Sequence, residues 1–169
     1  NLNKFSLVDE NSSLEKLPER RGKYTYLKLK SENIVTSAMH NGDINAVCLR
    51  PGTFYGSEGE LYTPMMGLTM CKKYNIVIGN GNMCMPLIYI KNVVDAIIKT
   101  ISNERSTGNV YNITDGIPVT KRFYVDNLLK EIHPNSIYLY FPYSLFYFIV
   151  FVQEYLFKML RRQPYLTTY

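Results

Sequence analysis

The sequence has 169 residues, 46% of them hydrophobic, which suffices for one domain with a packed core and excludes a disordered chain. The net charge is +5, yet the basic residues are dispersed without an aromatic-interleaved stripe, so nucleic acid is not an expected partner. Cysteines Cys48, Cys71 and Cys84 lack metal-ligand spacing, so no metal site is expected and a reducing cytoplasm fits. Because the chain begins at Asn1 without an initiator methionine, we expect it to be a segment of a longer protein.

The order of the predicted elements indicates an α/β fold. Residues 1–22 are polar and irregular and are predicted to form a loop, whereas residues 24–40 have helical apolar spacing with Gly42 beyond their end. Residues 44–50 are mostly apolar, as in a strand of a buried parallel sheet. The same patterns predict strands or extended segments at 75–78, 85–90 and 109–113 and helices at 61–74, 91–102 and 120–132. Strands that alternate with helices favour a parallel sheet, and a complete doubly wound domain would need several more strands before residue 1.

The segment 138–160 differs in kind from the rest of the chain because it is rich in phenylalanine and tyrosine. Residues 143–152 carry no charge, which is about half the length that a spanning helix needs. The basic cluster Lys158, Arg161 and Arg162 follows this run and suits an anionic membrane surface. An interfacial helix or a lid over an apolar site is the favoured interpretation, with a core helix and a spanning helix as alternatives.

Two side chains with acid–base potential share one face of the first predicted helix. Tyr24 and Lys28 are four residues apart, so they lie one helical turn from each other. A neighbouring cation favours the phenolate form of a tyrosine, whose unperturbed pKa is about 10. A second pair, Tyr26 and Lys30, is offset by two residues and would face about 160° away, whereas Glu32 aligns with the first pair. The alternative interpretation is a solvated, lysine-rich helix face without chemistry.

Five segments, in the same order along the chain, resemble the C-terminal half of an extended short-chain dehydrogenase/reductase. They are the helix with Tyr24, Lys28 and Glu32, and then Leu49–Gly56, Ile78–Gly81, Ile88–Ala96 and Gly108–Asp115. The resemblance implies the C-terminal part of an NAD(P)-binding, Rossmann-like, doubly wound parallel sheet plus a small substrate-binding region. It also implies a division of the chain into three regions. Residues 1–115 form that sheet with interleaved substrate segments, residues 116–137 form a substrate-region helix, and residues 138–169 form an aromatic lid or membrane-interface segment.

The resemblance implies a role for each residue that matches the family's motifs. Tyr24 is the general acid/base, and Lys28 favours its phenolate and hydrogen-bonds the nicotinamide ribose. Pro51, Gly52 and Thr53 lie against the nicotinamide of NAD or NADP, with backbone groups that orient the ring. A hydride then moves between the cofactor and a substrate carbon.

Two elements of the family's site are expected upstream of Asn1, so the segment alone is expected to be inactive. They are the glycine-rich turn that binds pyrophosphate and the catalytic serine, for which Ser12 or Ser13 is the alternative. The glycine-containing stretch Gly52–Gly59 lacks the spacing of a dinucleotide fingerprint and is predicted to be the loop that leaves a central strand.

Two details narrow the branch of the family. Nucleotide-sugar epimerases usually carry a phosphate-gripping arginine where this chain has Cys84–Leu87, and an apolar replacement argues against a diphosphate substrate. Asn92 and the surrounding Tyr89–Val94 are similar to the 3β-hydroxysteroid dehydrogenase and sterol-4α-carboxylate 3-dehydrogenase branch. That branch implies hydride transfer at a CH–OH or ketone group of a sterol-like or other lipidic substrate, as in steroid biosynthesis.

Several further expectations follow from the same resemblance. The expected partners are a small apolar substrate, a membrane surface contacted through residues 138–162, and a second copy in a homodimer. The expected location is the cytoplasm, at a membrane surface. The alternatives are a nucleotide-sugar epimerase or dehydratase on the same fold and, in another class, a non-catalytic binding module that keeps the fold without the chemistry.

Overall fold

The computed structural model describes residues 8–56, 59, 61–70 and 73–160. The helices are α1 (Lys23–His40), α2 (Ile90–Ile101), α3 (Lys121–Tyr124), α4 (Lys130–Ile132) and α5 (Tyr143–Met159), with short 3-10 turns at Pro18–Arg21 and Glu104–Ser106. The strands are β1 (Cys48–Pro51), β2 (Thr53–Tyr55), β3 (Gly67–Met70), β4 (Tyr74–Ile78), β5 (Cys84–Met85), β6 (Leu87–Tyr89), β7 (Val110–Ile113), β8 (Val119–Thr120) and β9 (Ile137–Phe141).

The chain divides into two compact units that interleave along the sequence. The first comprises Asn1–Gly52 and Ile90–Thr114, and the second comprises Thr53–Tyr89 and Asp115–Tyr169. The division expected from the sequence, at 1–115, 116–137 and 138–169, concerns functional roles rather than contacts, and it stays a prediction.

The first unit contains α1, α2 and the parallel pair β1 and β7. Helix α1 confirms the prediction for residues 24–40, and it begins after Gly22, whose φ of 99° turns the chain from the preceding 3-10 turn. Strand β1 is shorter than the predicted 44–50, although the amide of Gly108 still donates to the carbonyl of Ala46 before the strand begins. The pairing of β1 with β7 places Arg50 opposite Asn112. The predicted helix at 91–102 and strand at 109–113 are both confirmed.

The second unit contains two small sheets, one strand pair and a core. Strands β2 and β6 are parallel, β3, β4 and β9 form a three-stranded sheet in that order, and β5 pairs antiparallel with β8. The α/β class with parallel strands is therefore confirmed. The core consists of apolar side chains from the turn before β3, from the strands and from the helical stretch after β8, namely Met66, Val77, Met85, Leu87, Tyr124, Val125 and Leu129.

The helix predicted at 61–74 is wrong. Residues 67–70 form strand β3 instead, which pairs antiparallel with β4 so that Gly67 lies opposite Val77. Gly67 has a φ of 152°, and a Cβ atom at this position would lie 1.8 Å from the carbonyl oxygen of Ile76. Only glycine permits this close backbone approach, and the strand pairing overrides the helical spacing of the apolar residues. Residues 71 and 72, also within the predicted helix, lie outside the described residues.

The last predicted helix, at 120–132, is confirmed with one irregularity. The Thr120 side chain caps its N-terminus by accepting a hydrogen bond from the amide of Phe123 at 3.1 Å. Between α3 and α4 the residues Val125–Leu129 form a π-helical stretch, which places Val125 and Leu129 in the core.

The aromatic segment 138–160 consists of two elements rather than one. Strand β9 pairs in parallel with β4, and its alternation directs Tyr138 and Tyr140 toward the core, while Leu139 is exposed. Pro142 then separates this strand from α5, whose start agrees with the expected aromatic helix. Across the part of the chain that the structure describes, every helix is too short or too polar to cross a membrane.

Candidate active site

Helix α1 brings Tyr24 and Lys28 together. Tyr24 is the second residue of the helix, and the Lys28 Nζ atom lies 5.9 Å from the centroid of the Tyr24 ring. The Tyr24 side chain is 76% exposed. Among the described residues, neither the Tyr24 hydroxyl nor the Lys28 ammonium has a hydrogen-bond or ion-pair partner. Both groups are therefore available to a ligand.

The second pair on the same helix has nearly the same internal geometry. The Lys30 Nζ atom lies 5.8 Å from the centroid of the Tyr26 ring, so the distance alone does not distinguish the two pairs. The difference is in exposure, because the Tyr26 side chain is half-buried whereas Tyr24 is open to solvent.

An ion pair between Glu32 and Arg50 shows which face of α1 is turned toward strand β1. The Arg50 Nε atom donates to Glu32 Oε1 at 3.0 Å, and the Nη2 atom donates to the same oxygen. This hydrogen bond raises the pKa of Arg50. Glu32 follows Lys28 by one turn, so Tyr24 and Lys28 lie on its side of the helix. Tyr26 and Lys30 point away from that side.

The residues expected against the nicotinamide lie at and after the end of β1. The Gly52 amide donates to the carbonyl of Ile113 at 3.0 Å in the first unit, and the Thr53 amide donates to the carbonyl of Pro86 at 2.6 Å in the second. Pro51 has no amide hydrogen. The backbone N–H groups of Gly52 and Thr53 are thus committed to the protein, and the Thr53 hydroxyl donates to the Met65 sulfur at 3.9 Å, which leaves carbonyl oxygens for a ligand.

The two serines offered as the alternative catalytic hydroxyl precede α1. The Ser12 hydroxyl donates to Asp9 Oδ1 at 2.7 Å and accepts from the Asp9 amide at 3.0 Å, which closes a local turn and lowers the pKa of Asp9. Ser12 therefore has a structural role, and Ser13 is exposed beside it. The neighbouring Glu10 accepts a hydrogen bond from the amide of Asn112 on β7 at 2.7 Å, which lowers the pKa of Glu10.

One polar cluster in the second unit was missed by the sequence argument. The Tyr55 hydroxyl donates to Asp115 Oδ2 at 2.8 Å, and the Tyr89 amide donates to the same carboxylate. The hydrogen bond to Asp115 raises the pKa of Tyr55 to about 12. Tyr55 and Tyr89 end two paired parallel strands, β2 and β6. Because strand ends meet at one edge of a sheet, this signal could have predicted their proximity.

An open groove of about 520 Å³ lies in the first unit, and its lining does not include Tyr24 or Lys28. It is lined by apolar residues of the β1 segment and of α2, among them Val47, Leu49, Ile97 and Ile101. Across the described ranges of the chain, no cluster of three His, Cys, Asp or Glu side chains could hold a metal ion.

Comparisons with known proteins identify the family of the sequence. The sequence matches the NAD dependent epimerase/dehydratase family over residues 4–114. It is 25% identical over 147 residues to the uncharacterized protein YbjS of Escherichia coli (strain K12), a match that covers 84% of this chain and 44% of YbjS.

Solved structures show the same fold at lower identity. One is the UDP-glucuronic acid 4-epimerase from Bacillus cereus in complex with UDP-glucuronic acid and NAD. It is 19% identical with a TM-score of 0.62, over 82% of this chain and 44% of that one. Another is RMD from Pseudomonas aeruginosa complexed with NADPH, which is 18% identical with a TM-score of 0.52, over 71% and 44% of the two chains.

Each match covers 44% of the relative, so the chain spans less than half of the length of these relatives. The Rossmann-like fold expected from the sequence is confirmed, and the family's NAD dependence agrees with the expected cofactor class. The family match covers residues 4–114 of the 169, which is well over half of the sequence. The chain therefore belongs to the NAD dependent epimerase/dehydratase family.

Proposed function

We propose that this chain carries the acid–base half of an NAD(P)-dependent oxidoreductase of the extended short-chain type, with Tyr24 as the general acid/base. The observation that carries the proposal is the stripe of Tyr24, Lys28 and Glu32 on one face of α1, with Glu32 bonded to Arg50 directly before Pro51. Through the Glu32–Arg50 ion pair, the helix face that carries the phenol and the ammonium is turned toward β1 near its carboxyl end. Ligands of open α/β sheets bind at the carboxyl ends of the strands.

The residues present fit the nicotinamide end of the cofactor. The Lys28 ammonium, 5.9 Å from the centroid of the Tyr24 ring, is available to donate to a ribose hydroxyl. The Tyr24 hydroxyl is available to pass a proton to or from the substrate oxygen. The carbonyl oxygens of Pro51 and Gly52 are acceptors for a carboxamide N–H group, since the amide of Gly52 is committed to Ile113. When bound, the cofactor supplies the hydride acceptor or donor.

A sterol-like or other lipidic alcohol or ketone is the substrate class that we favour. Where nucleotide-sugar enzymes of the resembling family usually carry an arginine, this chain has Cys84–Leu87. Met85 and Leu87 are 3% and 7% exposed and belong to the core of the second unit, so no guanidinium stands there for a diphosphate. This supports the hydroxysteroid dehydrogenase-like interpretation.

A nucleotide-sugar substrate is the second candidate, and a specific observation favours it. The similar structure from Bacillus cereus is named as a UDP-glucuronic acid 4-epimerase in complex with its nucleotide sugar. In such an enzyme a tyrosine in the place of Tyr24 would serve the same proton transfer, so the helix pair supports both candidates equally.

A turnover assay with the full-length protein separates these functions. The protein is offered NAD or NADP with a 3β-hydroxysteroid, and in parallel NAD with UDP-glucose or UDP-glucuronic acid. We expect reduced cofactor to accumulate with the hydroxysteroid and no epimer to form from the UDP-sugars. Epimerisation without steroid turnover would favour the second candidate, and binding of NAD without turnover of either class would indicate a non-catalytic module.

A further inference from the structure

Helix α5 is apolar on most of its surface, and its two central polar side chains lie on the side that the protein covers. The side covered by protein occupies an arc of about 100° and carries Phe146, Val150, Gln153, Glu154 and Phe157. Val150 is 2% exposed, and the Gln153 side-chain nitrogen is buried without a hydrogen-bond partner among the described residues. The two polar side chains in the middle of the helix therefore lie on its covered side.

The outer side of α5 is almost entirely apolar. Its side chains span an arc of about 200°, on which Ser144 and Lys158 are the polar side chains within the helix. The others are 38–68% exposed and comprise Leu145, Tyr147, Phe148, Ile149, Phe151, Val152, Tyr155, Leu156 and Met159. An exposed apolar surface of this extent, continuous along a 17-residue helix, marks a site of contact with a partner or a membrane.

The charges around this surface identify the kind of partner. Glu154 is the one acidic residue in the sequence from 138 to 169, and it lies on the covered side of the helix. Lys158 is exposed in the last turn, and the sequence continues with Arg161 and Arg162, which lie outside the described residues. A face of aromatic and aliphatic side chains with an exposed lysine in its last turn, in a segment whose sequence continues with two arginines, is complementary to anionic lipid headgroups above acyl chains.

We propose that the outer face of α5 binds an anionic membrane surface, with the helix axis parallel to the membrane plane. The helix is too short and too interrupted by polar groups to cross a membrane. Its apolar arc is wider than the narrow stripe that a protein groove accepts from a docked helix, whereas a lipid surface covers a wide face. The tyrosines of this face, Tyr147 and Tyr155, suit the boundary between headgroups and acyl chains.

Vesicle binding by the full chain tests this proposal. Vesicles of phosphatidylcholine alone are compared with vesicles that also contain phosphatidylserine, and bound protein is measured by co-sedimentation. We expect binding that depends on phosphatidylserine and weakens as salt is added. The triple variant Phe148→Ser, Phe151→Ser and Leu156→Ser should weaken binding at least about tenfold, and Lys158→Gln should weaken it about fivefold.

Matched variants separate membrane contact from damage to the fold. Ile132→Ser removes a 47% exposed apolar side chain on α4 and should leave vesicle binding unchanged. The protein has no tryptophan, so Phe148→Trp introduces a single reporter whose emission should shift to the blue on the anionic vesicles. Ile117→Trp, at a 70% exposed position outside α5, should show no such shift.

Three results would overturn the proposal. The first is a folded protein, with an unchanged thermal transition, that binds neither type of vesicle. The second is binding that is equal on the two vesicle types and insensitive to salt. The third is self-association that the triple variant abolishes while no vesicle binding occurs, which would assign the face to a second copy of the chain.

Discussion

The two compact units differ in how much they bury. Among the described residues of the first unit, Met39 and Val93 are the buried apolar side chains. The second unit buries a contiguous core of strand and helix residues, with Met66, Val77, Val125 and Leu129 almost inaccessible to solvent. Tyr24 and Lys28 thus lie on the unit with little core of its own, and the well-packed unit carries the apolar helix face.

The first unit buries little because the apolar sides of its helices are exposed. Ile34 on α1 and Ile98 and Ile101 on α2 are 64%, 56% and 80% exposed, although they occupy the apolar sides of their helices. Strands of a parallel sheet are normally covered on both faces, and β1 and β7 form only a two-stranded pair among the described residues. Since the chain spans less than half of its relatives' length, we expect further strands and helices to cover these residues in the whole protein.

The groove in the first unit is where such a strand would lie. The backbone groups of the even-numbered residues of the β1 segment bond to the β7 segment. The Cys48 amide donates to the carbonyl of Asn109, and the Gly52 amide donates to the carbonyl of Ile113. Val47 and Leu49 alternate with these residues, so their backbone groups point to the other edge. Both residues line the groove. We therefore expect a strand of the whole protein to pair at that edge and fill the groove.

The largest effect should come from helix α1 of the first unit. Tyr24→Phe in the full-length protein should lower the rate of hydride transfer by roughly 100- to 10,000-fold, because the proton transfer loses its acid/base. Tyr26→Phe is the matched control on the same helix and should keep the rate near that of the wild type. The rate is followed by the absorbance of the reduced nicotinamide. Equal losses in the two variants would break the assignment of chemistry to the Glu32 side of α1.

The next effect concerns the core of the second unit. Gly67→Ala should destabilise the protein by about 3 kcal/mol, since the added Cβ meets the carbonyl of Ile76 and φ at this position is positive. Gly42→Ala is the control in the first unit, because φ is 78° there but nothing lies within 4 Å. We expect it to cost only about 1–2 kcal/mol of conformational strain.

The free energy of unfolding of both glycine variants is measured by urea titration, with unfolding followed by circular dichroism. If Gly67→Ala were no more destabilising than Gly42→Ala, the β3–β4 pairing would not hold the second unit together. The comparison of the two units, one built around a core and one without, would then fail.

The sequence predicted elements whose signal is local. Helix α1, helix α2 and strand β7 follow from apolar spacing and their bounding residues, and they agree with the structure within a few residues. Strand β3 was mistaken for a helix because its conformation depends on pairing with β4 and on the close approach at Gly67, neither of which apolar spacing records. Strand β9 inside the aromatic segment likewise depends on pairing with β4.

The candidate site divides in the same way. The positions of Tyr24 and Lys28 could be read from their four-residue spacing and the resembling motifs. The Glu32–Arg50 ion pair, which favours this tyrosine over Tyr26, joins residues 18 apart in sequence, so spacing along one helix could not reveal it. The assignment of these residues to catalysis stays a prediction, whereas the family itself is confirmed.

The smallest expected effect is an alkaline loss of stability that belongs to the second unit. The hydrogen bond to Asp115 raises the pKa of Tyr55 to about 12, and burial raises the pKa of Tyr62 to about 12. In the unfolded chain each phenol ionises near pH 10. From about pH 10 to 12 the unfolded state thus binds fewer protons than the folded state, so the stability that both groups supply below pH 10 is lost as the pH rises.

Tyr55→Phe should make this fall shallower, because one of the two phenols no longer ionises on unfolding. The Tyr62 contribution remains in that variant, so the fall is reduced and not abolished. Combining Tyr55→Phe with Tyr62→Phe should flatten it further, at the cost of the hydrogen bond from Tyr62 to the carbonyl of Ile76. The measurement is the free energy of unfolding in urea at several pH values between neutral and strongly alkaline. A slope that stays the same in both variants would place the alkaline sensitivity outside the core of the second unit.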